Sequence, residues 1–199
     1  MDKKTFRTIL SLSLLGCLLY YTMTISQMFQ TKIEILNKDL ENTKQEFYCL
    51  IDSVNKVYQT ALDSLPLGSP LDSISISSKY GFRKRPLGIG WRMHSGIDLK
   101  GTRWDTVFAT GSGFVSMSGW NSGYGKCVKI DHIGGYSSKY AHLSKIFVKK
   151  GDFVVKRTPL GKCGNTGAST GQHLHYEINI NGKSVDPYLF LVFDSILQR

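Results

Sequence analysis

Gly171-Gln-His173-Leu-His175-Tyr-Glu177-Ile-Asn-Ile180-Asn181-Gly182-Lys183-Ser-Val185 is a strand, a turn and a returning strand written in one line of sequence. His173–Ile180 alternates in polarity, and Asn181-Gly182 is a strong two-residue hairpin signal before Lys183–Val185. Residues i and i+2 of a strand share a face, so His173 and His175 project together while Leu174 and Tyr176 take the other side. Two imidazoles on one face can both hold a metal, or one can hold it while its neighbour moves protons.

Outward from this hairpin the same texture continues. Short alternating runs at Ser73–Ser77, Gly113–Ser118, Cys127–His132, Tyr136–His142 and Asp152–Val155 are candidate strands. Gly134-Gly135 and Asn165-Thr-Gly167 mark turns between them. No helical pattern of normal length occurs between residues 75 and 185. The region is expected to be mainly antiparallel β-sheet, of sandwich or barrel type.

The N-terminal third reads differently. Lys3, Lys4 and Arg7 precede an uncharged, largely apolar run from Thr8 to Phe29, long enough to cross a bilayer as a helix. Basic residues ahead of the run place its start in the cytoplasm and the rest of the chain outside. Leu14-Leu15-Gly16-Cys17 resembles a bacterial lipoprotein box, which would make Cys17 a lipidated terminus. The apolar run continues past Cys17, which suits an uncleaved single-pass anchor in the cytoplasmic membrane better. From Thr31 to Leu65 glycine and proline are absent, and Ile33, Leu36, Leu40, Phe47, Leu50, Val54, Val57 and Ala61 form a heptad seam interrupted only at Thr43. At 1.5 Å per residue this helix reaches about 50 Å. It is read as a stalk that forms a homodimer; the competing reading is an amphipathic helix packed on its own domain. Pro66-Leu-Gly-Ser-Pro70 ends it and starts a linker. The expected organisation is a membrane anchor over 1–30, a helical stalk over 31–66 and a β domain over 67–199.

Composition narrows the classes. With 41% hydrophobic residues the chain is too apolar to be fully disordered, and one apolar run excludes a multi-span membrane protein. Cys17, Cys49, Cys127 and Cys163 are too scattered for a CxxC zinc site or a disulfide miniprotein. Cys49 could crosslink two stalks, and Cys127 could pair with Cys163; free buried thiols are as plausible. Residues 67–199 hold eighteen basic and eight acidic residues and all five histidines, so this part carries the whole net charge of +10. Such a surface favours polyanions. An exported domain without a nucleic-acid motif points to wall polymer or lipid head groups, not nucleic acid. For Lys145, Lys149, Lys150, Lys156 and Arg157 a solvated edge is the default.

His94-Ser-Gly-Ile-Asp98 offers an imidazole and a carboxylate, with Gly96 expected to let the chain bend so that both reach one ion. His94, Asp98 and one of His173 and His175 would make three protein ligands and leave a position for water. His142, in Lys139-Tyr-Ala-His-Leu-Ser144, adds an imidazole for acid–base work. His132 reads as a turn residue outside this set.

Together, His94-Ser-Gly-Ile-Asp98, Tyr140-Ala-His142-Leu-Ser144 and Thr166-Gly-Ala-Ser-Thr-Gly-Gln-His-Leu-His-Tyr-Glu177 resemble the lysostaphin-like (LytM-type) zinc metalloendopeptidases, over about Tyr80 to Leu189. The resemblance implies one Zn²⁺ per chain on His94, Asp98 and His175. It implies His142 and His173 as catalytic non-ligand histidines, and Tyr140 as a group that orients water or substrate. It implies a compact antiparallel β domain with a groove over the metal, and peptidoglycan stem or crossbridge peptides as substrate. Two departures stand out: Gln172 where many relatives have proline, and Arg85-Pro86 where many have His-Pro. The alternatives are a scaffold that activates other wall hydrolases, a role whose usual mark, lost zinc ligands, is absent here, and a peptidase of exported proteins.

Overall fold

The structure is a computed structural model that describes residues 2–85 and 89–197. It divides into two units, Met1–Lys56 and Val57–Arg199. From Lys3 onward the first is part of one helix, α1 (Lys3–Asp63), about 90 Å long at 1.5 Å per residue. None of its residues is buried, and the seam residues Ile33, Leu36, Leu40, Phe47, Leu50 and Val54 are exposed. Its N-terminal part is long and apolar enough to cross a membrane. The expected anchor and stalk segments form one unbroken helix, because no glycine between them terminates it and no proline occurs before Pro66.

The second unit begins with the last turns of α1. Pro66–Pro70 differs from the expected linker. Leu67 and Leu71 are buried, Ser112 N–H donates to the Asp63 carbonyl at 2.6 Å, and Gly68 N–H donates to the Phe190 carbonyl at 2.8 Å. Thirteen strands follow among the described residues. They are β1 (Ile76–Ser78), β2 (Gly81–Lys84), β3 (Trp91–His94), β4 (Ile97–Lys100) and β5 (Thr106–Phe108). Next come β6 (Gly113–Asn121), β7 (Gly125–Asp131), β8 (Tyr136–Leu143), β9 (Lys145–Ile146) and β10 (Phe153–Val154). Last are β11 (Pro159–Lys162), β12 (His173–Ile180) and β13 (Lys183–Val185), then helix α2 (Tyr188–Leu197).

All pairings are antiparallel. The main sheet runs β1-β4-β12-β8-β7-β6-β10 with β13 beside β12; β5-β11-β9 form a second sheet, and β2-β3 a separate hairpin. Expected and observed strands coincide at His173–Ile180, and the hairpin turn has Asn181 and Gly182 at φ 50° and 79°, as a type I′ turn requires. The sequence pattern missed β2 to β5, β9 and β11. These are two to four residues long, too short to show a period, and β2 and β3 are mostly exposed.

The core packs one face of the main sheet. Ile97, Leu99, Val128, Ile130, Tyr140, Leu174, Tyr176 and Ile178 are fully or almost fully buried there. Register then decides the other face. His175 pairs with Asp98 of β4 on one side and with Ala141 of β8 on the other, while Tyr176 pairs with Tyr140. His173, His175 and Glu177 therefore stand opposite the core, next to the β4 carboxylate.

Candidate metal centre

Three donor atoms converge on that face. Asp98 Oδ1 lies 2.9 Å from His175 Nδ1 and 3.1 Å from His94 Nε2, and the two imidazole nitrogens are 3.1 Å apart. All three residues are buried. A tetrahedral ion with bonds of about 2.0–2.1 Å sets its donors roughly 3.3 Å apart, so the trio fits one ion after opening by a few tenths of an ångström.

The tautomers say the same. A carbonyl only accepts, so His94 donates through Nδ1–H to the Lys79 carbonyl at 2.7 Å and keeps a lone pair on Nε2. His175 donates through Nε2–H to Glu177 Oε1 at 3.1 Å, which leaves Nδ1 facing Asp98. Burial resists the charge on Asp98, but hydrogen bonds and charge from His175 and His94 hold its carboxyl far below the usual range. Burial likewise opposes charge on His175, yet its bonds to Asp98 and Glu177 raise it above the ordinary imidazole value. Two imidazole nitrogens and an ionised carboxylate thus point at one spot that calls for a cation: a proton, or better a metal.

Two further imidazoles flank the trio. His142 donates Nδ1–H to the Thr166 carbonyl at 2.7 Å, and His173 donates Nδ1–H to the Gly171 carbonyl at 2.9 Å. In both, Nε2 is left as the free basic nitrogen. Their ring centroids are 4.8 Å apart; His142 lies 5.7 Å from the ring of His175, and His173 Nε2 lies 3.5 Å from Asp98 Oδ1. Burial pushes His142 down to about 4, with the neighbouring histidines adding to the effect, so it is an uncharged base at neutral pH.

Of the expected site residues, the fold gathers His94, Asp98, His175, His142 and His173. Tyr140 is not brought to the group. Simple alternation puts Tyr140 and His142 on one face, but the β7–β8 register shifts between Lys126 and Val128, and His142 sits at φ 61°. This bulge reverses the parity of the strand and re-aims His142 at the cleft. Tyr140 stays on the core side, 0% exposed, its hydroxyl bound by Thr110 N–H at 2.9 Å and by Thr110 Oγ1 and Ser138 Oγ. It cannot orient water or substrate from there.

Gly96 lies at the bend between β3 and β4, as expected, and a second constraint falls on it. Its φ is not in the left-handed region, and a Cβ there would run into the Tyr176 carbonyl oxygen and sit 2.9 Å from Glu177 Cγ, because β12 passes against it. Of the Arg85-Pro86 departure, Arg85 lines the cleft and Pro86 lies outside the described residues. His132 is more than a turn residue: it is buried, with Nδ1–H on the Ser112 carbonyl at 2.9 Å and Nε2 on Ser138 Oγ at 2.8 Å. It remains outside the metal group. Cys127 and Cys163 are free and buried, and burial raises the Cys163 thiol to about 11.

Glu177 is the functional residue that the motif contained without revealing its part. It is 2% exposed, and Oε1 accepts from His175 Nε2–H, Ser95 Oγ–H and, at 2.8 Å, Tyr124 O–H, while Oε2 pairs with Lys139 Nζ at 2.9 Å. Burial opposes its charge, and these donors keep it well below the ordinary glutamate value. It fixes which nitrogen of His175 faces Asp98 and His94. Its i, i+2 spacing from His175 on an alternating strand was the available signal.

A model described as Peptidase family M23 matches residues 92–187. The chain is 42% identical over 118 residues to the DD-carboxypeptidase/endopeptidase Mpg of Neisseria meningitidis, covering 59% of this chain and 27% of that protein. It is 37% identical over 122 residues to the peptidoglycan DD-endopeptidase ShyC of Vibrio cholerae, covering 61% and 28%. The chain thus spans about a quarter of the length of these curated relatives. Among solved structures, the catalytic domain of lysostaphin from Staphylococcus simulans superposes with a TM-score of 0.53 at 34% identity, covering 59% of this chain and 91% of that domain.

Proposed function

The chain belongs to peptidase family M23, and on that footing we propose that it is a membrane-anchored zinc metalloendopeptidase hydrolysing peptide bonds of bacterial peptidoglycan. The observation that carries this is the convergence of His94 Nε2, Asp98 Oδ1 and His175 Nδ1, with the free Nε2 atoms of His142 and His173 beside them. The substrate is supported by relatives named as DD-endopeptidases.

His94, Asp98 and His175 would hold one zinc ion per chain. Zinc supplies Lewis acidity there, activating water and polarising the scissile carbonyl. His142 takes the proton of the attacking water on Nε2, the only ring nitrogen its Thr166 bond leaves free. His142 then passes that proton to the leaving amine, and His173, its ring 4.8 Å from that of His142, steadies the developing oxyanion when its Nε2 carries a proton. Glu177 holds His175 in the ligating tautomer, and Tyr140 serves the core. The anchor over residues 1–30, the stalk over 31–66 and the peptidase domain over 67–199 are read as one device that holds the cleft outside the cytoplasm. Lys3, Lys4 and Arg7 support that orientation.

The test uses the full chain in detergent, loaded with zinc and incubated with isolated peptidoglycan, with and without a zinc chelator. Mass spectrometry of the soluble fragments should show chelator-sensitive release of peptides. A folded, zinc-loaded chain that releases none would refute the proposal.

A further inference from the structure

The water-exposed part of α1 is the stretch of chain that the peptide chemistry leaves unused. From Ile33 to Val54, within the first unit, its apolar side chains follow one seam about 33 Å long. Ile33, Leu40, Phe47 and Val54 recur at seven-residue spacing, with Leu36, Thr43 and Leu50 between them. In heptad terms the first set is a and the second is d. The six apolar members are 49–60% exposed, and no residue of α1 is buried. A helix in water draws most of its stability from packing such a face, and a row of large apolar groups left open is costly.

The seam itself says how many helices cover it. A β-branched residue at a with leucine at d favours two strands. Ile33 with Leu36, and Val54 with Leu50, supply that combination at both ends. Thr43 is the one polar seam residue, and its Oγ1 donates to the Asp39 carbonyl at 2.8 Å. Its donor is therefore met within the helix, and burial strands nothing. Ile51, at e, borders the seam; Tyr48 and Ile35, at b and c, lie off it.

The flanking charges identify the partner as a second copy. In a parallel pair, the g residue of one helix meets the e residue of the next heptad in the other. Asp39 is at g and Lys44 at the following e, so two copies in register form this ion pair on both sides. The other g–e meetings, Lys32 with Asn37 and Glu46 with Ile51, set no like charges together. Such self-complementarity is what a two-fold interface requires. Within one chain Lys44 Nζ already lies 2.7 Å from Glu41 Oε1, but the two side chains are 49% and 70% exposed. A surface pair of that kind is weak and gives way readily. Two chains whose Thr8–Phe29 runs lie in one membrane send their stalks out in the same direction, and confinement there raises their effective concentration.

We propose that Ile33–Val54 forms a parallel, in-register, two-stranded coiled coil with a second copy of this chain. One stalk then carries two β domains. The direction rests on the membrane-anchored reading; the pairing does not need the peptidase chemistry. Cys49 falls at c in this register, away from the partner helix, so it does not crosslink the stalks.

The test uses the full chain in detergent micelles, with Cys17→Ser and Cys49→Ser as background. Single cysteines are introduced at d by Leu36→Cys or Leu50→Cys, and at f by Lys38→Cys or Gln45→Cys; native Cys49, kept in a Cys17→Ser chain, reports on c. Under mild oxidation, non-reducing gels should show the d positions crosslinking about ten-fold or more faster than c or f, because only facing d residues come within disulfide reach. Light scattering of the uncrosslinked wild type should give the mass of two chains. Asp39→Lys should weaken the dimer about ten-fold, and adding Lys44→Asp should restore it. A mass of one chain, or of three or more, overturns the proposal. Equal crosslinking at d and f overturns it in favour of anchors merely crowded into one micelle. A double charge variant no tighter than Asp39→Lys overturns the parallel register. None of these readouts involves peptide release, so their failure leaves the peptidase reading standing.

Discussion

Glu177→Gln is the sharpest single perturbation of the proposed centre. The carboxylate receives four donors: His175, Ser95 and Tyr124 on Oε1, and Lys139 on Oε2. Glutamine keeps the shape but only one acceptor oxygen. If that oxygen stays with His175, the amide NH₂ faces the Lys139 ammonium where Oε2 stood at 2.9 Å, donor against donor. If the amide flips, NH₂ faces His175 Nε2–H instead. Either way the restraint on the His175 tautomer weakens. Loss of such an outer partner lowers metal affinity about 10- to 100-fold, roughly 1.4–2.8 kcal/mol. Glu177→Ala also strands Lys139, whose side chain is only 18% exposed. It should lower the unfolding free energy by about 3 kcal/mol, near the lower end for breaking a buried pair. The assay is competition for zinc against a chromophoric chelator, with urea unfolding of the metal-free protein alongside. A folded Glu177→Gln protein that binds zinc as tightly as the wild type would refute the reasoning.

His175→Ala should abolish both zinc binding and peptide release, whereas His142→Ala should keep zinc, by metal analysis, and lose about 10²- to 10⁴-fold in turnover. Wild-type turnover in a folded His142→Ala protein would remove His142 from its assigned role. Gly96→Ala drives a methyl group into the Tyr176 carbonyl. It should destabilise the domain by roughly 1–3 kcal/mol or more and lower zinc content, as urea unfolding and metal analysis would show. Burial lowers the pKa of His132 below its ordinary 6.5, the Ser112 bond and Asp131 opposing this only in part. The unfolded chain therefore binds the extra proton first. His132 costs nothing above about pH 6.5 and costs stability as pH falls below it. The drop in urea midpoint of the metal-free protein between pH 7.5 and pH 5 should be smaller in His132→Gln than in the wild type; an equal drop would contradict this.

Much of the site was legible in the sequence because its signals are local. The i, i+2 spacing of His173 and His175 needs only a strand, Asn181-Gly182 needs only a hairpin, and the uncharged run from Thr8 to Phe29 needs only a bilayer-length helix. What tertiary structure alone decided is non-local. The bulge at His142 depends on how β8 meets β7, and it sends Tyr140 to the core and His142 to the cleft against simple alternation. The second constraint on Gly96 arises from the approach of β12, a chain segment eighty residues away. The role of Glu177 depends on Ser95, Tyr124 and Lys139 arriving from three other segments. Arg83, Lys84 and Arg92 of β2 and β3 show no periodicity, because they line an open cleft. Periodicity records which side of a strand is apolar; it carries no record of which strand lies alongside, and that neighbour sets the parity, the close approaches and the partners that finish the site.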